Sequence, residues 1–236
     1  MESIERRKYS QNGEDGILEF IFSNIGVTNR LYLEIGTGDG SECNTRNLRE
    51  SHGFGGIMID SGYEIPQINL RKRFVTVENI KQLVNELCIP SKLDLLSLDI
   101  DFNDWYVMRE LLKYIDARVI VVEYNASLGP DTDAVVGYDA MHSFDGTTYF
   151  GSSITAWKHL LSGYSHIGCD SNGVNAFFVK NSENDKFPDD YKKMMNSVEL
   201  YRPPEYRPPH NNYNPGHIPD PLNRPFYRSA DILSRK

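Results

Sequence analysis

Hydrophobic and polar positions along the chain fall into two alternating periods. In DGILEFIFSNIG, residues 15–26, apolar side chains stand at Ile17, Leu18, Phe20, Ile21 and Phe22, the spacing of an amphipathic helix. LYLEIG (31–36) is a short buried strand, SECNTRNLRESHG (41–53) a helix closing near Gly53, and GIMID (56–60) a second strand. FVTVE (74–78) predicts a third strand, and NIKQLVNELCI (79–89) a helix stopped before Pro90. LDLLSLDID (93–101) is a fourth strand, WYVMRELLKYI (105–115) a helix, and ARVIVVEYN (117–125) a fifth strand. SITAWKHLLSGY (153–164) is helical, and SHIGCD (165–170) with VNAFFVK (174–180) forms a hairpin. Strands separated by helices of this length make right-handed βαβ units. The expectation is an α/β fold of Rossmann-like type, with a mostly parallel sheet closed by antiparallel C-terminal edge strands.

The pattern breaks near residue 185, dividing a body (1–185) from an extension (186–236). Residues 201–225, YRPPEYRPPHNNYNPGHIPDPLNRP, hold eight of the twelve prolines, and YRPP occurs twice. Such a segment is neither helix nor central strand and reads as an extended arm. Two readings stand open: a disordered tail, or an arm laid over its own site or over a second copy of the chain in a homo-oligomer.

The net charge of -8 argues against binding nucleic acid, which rests on neutralising phosphates, and NLRKRF (69–74) is the one local basic stretch. Three dispersed cysteines fit a reducing compartment rather than a disulfide framework. No apolar run reaches the roughly 20 residues of a membrane span, and MESIERRKYSQNGEDG lacks an apolar signal segment. A soluble, cytoplasmic protein without a membrane partner is expected.

The chemistry gathers in EIGTGDGSE (34–42), at the carboxyl end of the first strand, where open α/β sheets bind ligands. Glycines let the backbone turn sharply and approach a ligand closely. Asp39 and Glu42 would repel a pyrophosphate, which disfavours a nicotinamide dinucleotide, and a cationic ligand suits the acid better. Glu34, Gly36, Gly38 and Gly40 match E/D-x-G-x-G-x-G, and here the sequence resembles the class I S-adenosylmethionine-dependent methyltransferases. The resemblance implies that this loop, Thr37 included, passes under the methionine part of the cofactor. It implies that Asp60, ending the second strand, binds the ribose hydroxyls, and that Glu78 and Asn79 lie beside the adenine. SQNGEDG (10–16), LLSLDID and VNAFFVK narrow the resemblance to the FkbM-type methyltransferases and their relatives, over roughly residues 8–180. QNGED (11–15), with Gln11 as a cofactor contact, is then a cap near the methionine end; the other reading is a capped helix start. FkbM members are mostly assigned to O-methylation of sugars or polyketide hydroxyls. The chain departs from their D-x-E-G motif by reading DIDFND, residues 99–104.

Asp99, Asp101 and Asp104 follow the fourth strand, and Glu123 and Asn125 end the fifth. Converging hard oxygens suit Mg²⁺ or Mn²⁺, and a cation removes the cost of crowding carboxylates. This is similar to the catechol-type O-methyltransferases, with metal ligands at the ends of the same two strands, and Asp99, Asp101, Glu123 and Asn125 are the candidates. Without a metal, Glu123 is a base or orients the acceptor. MHSFDGTTYFGSS (141–153) lies in a long loop, with His142 a candidate general base because an imidazole titrates near neutrality. Asp145 and Tyr149 are candidates for positioning the substrate. Tyr138, Phe144, Tyr149 and Phe150 wall a pocket or pack on the sheet edge. The function expected is methyl transfer to a hydroxyl of a small polar metabolite or sugar. The rivals are metal-independent N- or carboxyl methylation and a non-catalytic module of the same fold.

Overall fold

The computed structural model describes residues 3–206 and 216–235. Seven strands form one sheet: β1 Leu31–Ile35, β2 Gly55–Asp60, β3 Leu70–Lys72, β4 Lys92–Leu98, β5 Asp116–Glu123, β6 Tyr164–Cys169 and β7 Asn175–Lys180. Their spatial order is β3-β2-β1-β4-β5-β7-β6. The first five run parallel; β7 is antiparallel to β5, and β6 to β7. This is the Rossmann-like arrangement of methyltransferase type expected above.

The helices are α1 Glu14–Ile25, α2 Arg46–His52, α3 Ile80–Glu86, α4 Asp104–Leu111, α5 Ile154–Leu160, α6 Asp189–Met194 and α7 Ser229–Ser234. Strand alternation divides the core between two faces of the sheet. Leu95, Val119 and Val121 pack on one side with Ile17, Leu18 and Ile21 of α1. Leu96, Leu98, Ile120 and Val122 pack on the other with Trp105 of α4 and Trp157 of α5. Each indole N–H is satisfied by a backbone carbonyl: Trp105 donates to Ala156 (3.0 Å) and Trp157 to Glu123 (2.9 Å). Among the described residues no helix is long and apolar enough to cross a membrane.

Two elements differ from expectation. The third strand is Leu70–Lys72 rather than 74–78. Side chains close residues 74–79 into a turn: Asn79 Oδ1 accepts from the Thr76 amide (2.9 Å), and Asn79 Nδ2 donates to the Phe74 carbonyl (2.8 Å). These local bonds compete with a strand ladder and outweigh the β-propensity of FVTV. The second helix starts at Arg46 rather than at 41, because the amides of Asn44 and Thr45 bind the Glu34 carboxylate (2.8 and 3.0 Å).

The C-terminal extension lies on its own chain, along the loop from Asn125 to Ser153. Tyr124 O–H donates to the Arg202 carbonyl (2.5 Å), and Glu205 N–H to Asn172 (2.8 Å). Further on, Thr148 N–H donates to Ile218 O (2.8 Å), and Val135 and Tyr227 exchange backbone bonds (both 2.8 Å). Arg224 pairs with Asp145 (2.6 Å) and Asp220 (3.1 Å). The described residues of the arm thus lie along a loop of their own chain. The rest of the second YRPP and HNNYNP, residues 207–215, lie outside the described residues.

Candidate active site

The strand registers set one row of residues across the carboxyl edge of the sheet. Ile35 pairs with Ile59 and with Leu98, and Leu98 pairs with Val122. One residue further along each strand stand Asp60, Gly36, Asp99 and Glu123. Glu123 in turn faces Asn175 across the antiparallel β5–β7 pair. Residues in such a row share a face, so four of the expected site residues stand in line with Asn175, which was not among them.

The glycine loop fits this row closely. Gly36 has φ 85°, and a Cβ there would lie 1.4 Å from the Asp99 carbonyl oxygen, so only glycine lets the loop pass the end of β4. Gly38 has φ 55° with open space around it, and its N–H donates to Asp60 Oδ2 (2.9 Å). Asp60 Oδ1 accepts from Gly62 N–H (2.7 Å), so this carboxylate also ties the loops after β1 and β2 together. Gly40 donates to the Thr37 carbonyl (3.0 Å), closing the turn. Glu34 is buried beneath the loop. Burial pushes its carboxyl up, and the bonds from Thr45 and Asn44 oppose this. Its oxygens serve the backbone that leads into α2.

Two cavities open on this row and share Gly36 and Asp99. One, of about 360 Å³, is lined by Gln11, Glu14, Glu34, Thr37 and Asn175 among others. Five carboxylates line it (Glu14, Glu34, Asp39, Glu42, Asp99), and no described lysine or arginine does. The other, of about 120 Å³, is lined by Asp60, Phe74, Val75, Asp101 and His142 among others. Half-exposed Phe74 and Tyr63 stand at the second and first cavities respectively.

Carboxylate oxygens of Asp99, Asp101 and Glu123 lie within 4.8 Å of one another. Burial, and then the charges of Asp101 and Asp104, hold Asp99 well above the usual carboxylate range. Burial and then Asp99 do the same to Glu123. Desolvation and Asp60 raise Asp101, and burial pushes Asp104 up to about 7. Asp104 Oδ1 accepts from Ile100 N–H (2.6 Å), fixing the turn in which Asp101 takes a positive φ of 67°. Glu123 Oε2 is buried without a hydrogen-bond partner among the described residues. Three hard oxygen donors with an unsatisfied buried oxygen form a set that fits a small divalent cation. The His142 ring lies tilted against Phe102, ring centroids 3.8 Å apart, with its Nε2 buried and unpartnered among the described residues.

No family model matches the chain, and no curated protein does. The solved crystal structure of TnmH is similar with a TM-score of 0.40 and 12% sequence identity, over 71% of this chain and 56% of that one. This chain thus spans little more than half the length of that neighbour, and so distant a likeness carries no argument about chemistry.

The remaining expected residues are placed elsewhere or otherwise engaged. Asn125 caps the turn Ala126–Leu128 through its Oδ1 (3.1 Å from Ser127 N), and its Nδ2 donates to Thr148 and Phe150 carbonyls (2.8 and 2.9 Å). It fastens the long loop. Glu78 accepts from Tyr138 O–H (2.6 Å), and Asn79 closes its own turn; neither lines the two cavities. Gln11 does line the first cavity and donates to Glu42 (3.4 Å). Asp145 binds Arg224, and Tyr149 O–H donates to Pro225 (3.1 Å), so both brace the arm. Phe74 and Asn175 escaped the sequence reading, and Glu14 entered it only within the QNGED cap. The position of Phe74 depends on where β3 ends, and Asn175 joins the site only through the register of an antiparallel edge strand.

Proposed function

We propose that the protein transfers a methyl group from S-adenosylmethionine to an oxygen of a small, polar, hydroxylated molecule, assisted by Mg²⁺ or Mn²⁺. The observation that carries this is the row Asp60–Gly36–Asp99–Glu123, which sets the carboxylates of Asp99, Asp101 and Glu123 directly beside the glycine loop. In this reading Asp60 holds the ribose, Phe74 and Val75 take the adenine, and the acid-lined cavity takes the cationic methionine part. Asp99, Asp101 and Glu123 hold the divalent ion. That ion, when bound, lowers the pKa of a coordinated hydroxyl.

The chain's own residues do the rest. The Gly36–Asp99 contact fixes the glycine loop against the acid cluster, which would hold donor and acceptor sites at a set distance. His142 Nε2 has no partner among the described residues and would take the acceptor's proton. Phe102 keeps the imidazole ring in place. The arm, through Ile218 and Arg224, braces the loop that carries His142 and covers the acceptor side.

Titration calorimetry with S-adenosylhomocysteine, with EDTA or with Mn²⁺, tests this reading. Binding to wild type, its loss in Asp60→Ala, and a Mn²⁺ heat that disappears in Asp99→Asn are expected. Cofactor binding with no Mn²⁺ heat would remove the metal and leave His142 as the base. No binding at all would remove the methyltransferase reading.

A further inference from the structure

Asn175 is placed with more care than a strand-opening residue needs. Its backbone N–H donates to Asp170. Its side-chain Nδ2 donates to Glu14 Oε1 (2.8 Å). Glu14 accepts two more bonds, from Asn12 N (2.7 Å) and Asn12 Nδ2 (3.0 Å). Asn12 Oδ1 in turn accepts from Asn172 Nδ2 (2.7 Å). The polarity of this chain is fixed, because a carboxylate accepts and an amide nitrogen only donates. The amide of Asn175 therefore has one orientation, with its carbonyl oxygen turned away from Glu14.

That oxygen is buried and has no partner among the described residues, on a residue only 5% exposed. Buried acceptors are nearly always satisfied, so one left open points to a missing donor. Asn175 lines the larger cavity together with Glu14, Gly36 and Asp99. The missing donor must also suit a lining of five carboxylates, of which Glu42 pairs with Arg7 (3.6 Å) and Asp39 feels Arg46, both outside the lining. A neutral hydroxyl would satisfy the amide and bring no charge to the remaining acids. A protonated amine supplies several N–H donors and the positive charge together.

We propose that Asn175 Oδ1 accepts a hydrogen bond from the α-ammonium group of the cofactor, with Glu14 orienting the amide for it. This rests on the cofactor reading above and assigns Asn175 as a binding residue. Asn175 would then read the amino-acid part of the cofactor and not its adenosine.

Two ligands separate these parts: S-adenosylhomocysteine, which carries the α-ammonium, and 5′-methylthioadenosine, which lacks it. In calorimetry Asn175→Ala should weaken S-adenosylhomocysteine by about tenfold or more, the usual worth of a hydrogen bond to a charged group. 5′-Methylthioadenosine should bind wild type and variant alike, which also shows that the variant is folded. An equal loss for both ligands, or no loss for S-adenosylhomocysteine, overturns the inference while the cofactor reading stands. A wild type that binds neither ligand overturns both. If Asn175→Ala does not fold, ¹⁵N-labelled wild type gives the answer. The Asn175 side-chain amide resonances should move with S-adenosylhomocysteine and stay with 5′-methylthioadenosine; the same movement with both overturns the proposal.

Discussion

Gly36 and the carbonyl of Asp99 are in contact so close that a β-carbon on Gly36 would stand 1.4 Å from the oxygen. The glycine loop and the acid cluster are thus one rigid unit. Gly36→Ala should cost ~3 kcal/mol or more, since neither backbone can give way. Gly38→Ala meets nothing within 4 Å and is strained only by its φ of 55°. It should cost ~1–2 kcal/mol and keep the fold. Urea unfolding of both variants checks the contrast; equal costs would mean that the contact is not what requires the glycine.

The crowded carboxyls give stability a defined pH dependence. Asp99, Asp101 and Glu123 are raised, and Asp104 and Asp170 are each pushed up to about 7. Between about pH 4, where carboxyls in the unfolded chain titrate, and about pH 7, these five carboxyls hold more protons in the folded protein than in the unfolded one, while buried His166, held down to about 3, works against them up to its unfolded value of about 6.5. The stability these carboxyls contribute is therefore full at the acid end and is lost as pH rises through about 7. Without metal, Tm should fall between about pH 5.5 and 8. Mn²⁺ needs the carboxylates ionised, so it should raise Tm more at the alkaline end. That rise should vanish in Asp99→Asn and persist in Asn125→Ala, whose side chain is committed to the loop. A Mn²⁺ effect that is equal at both pH values, or lost in Asn125→Ala, would contradict the assignment.

Arg224 ties the arm to the loop by pairing with Asp145 and Asp220, and its guanidinium lies 4.3 Å from the centre of the Tyr149 ring. Arg224→Ala should lower Tm only slightly, because these groups are largely at the surface. The local effect should be larger. Amide exchange at Thr147 and Thr148 should accelerate while β4 and β5 keep their protection. Unchanged exchange in the loop would show that the backbone bonds to Ile218 and Tyr227 hold the arm without this arginine.

Much of the fold was legible because strand and helix periods are distinct and the buried runs of β4 and β5 are long. FVTVE misled because its alternation is that of a strand, yet Thr76 and Asn79 supply side-chain bonds that make a turn. The glycine loop, Asp60, Asp99 and Glu123 were legible because strand ends in a parallel sheet all point to one edge. Asn125 shares its periodicity with Glu123, but β5 ends at Glu123 and the chain then turns, so the period no longer says where the side chain goes. Asn175 was hidden for a different reason. The β5–β7 register pairs strands far apart in the chain, Glu123 with Asn175, and spacing alone does not reveal it.

A crystal structure with S-adenosylhomocysteine and Mn²⁺ bound tests the central claim most directly. The account predicts the nucleoside between Asp60 and Phe74, the amino-acid part over Gly36 in the cavity lined by Glu14 and Asn175, and the metal on Asp99, Asp101 and Glu123. Cofactor density elsewhere, or none at these residues, would contradict it.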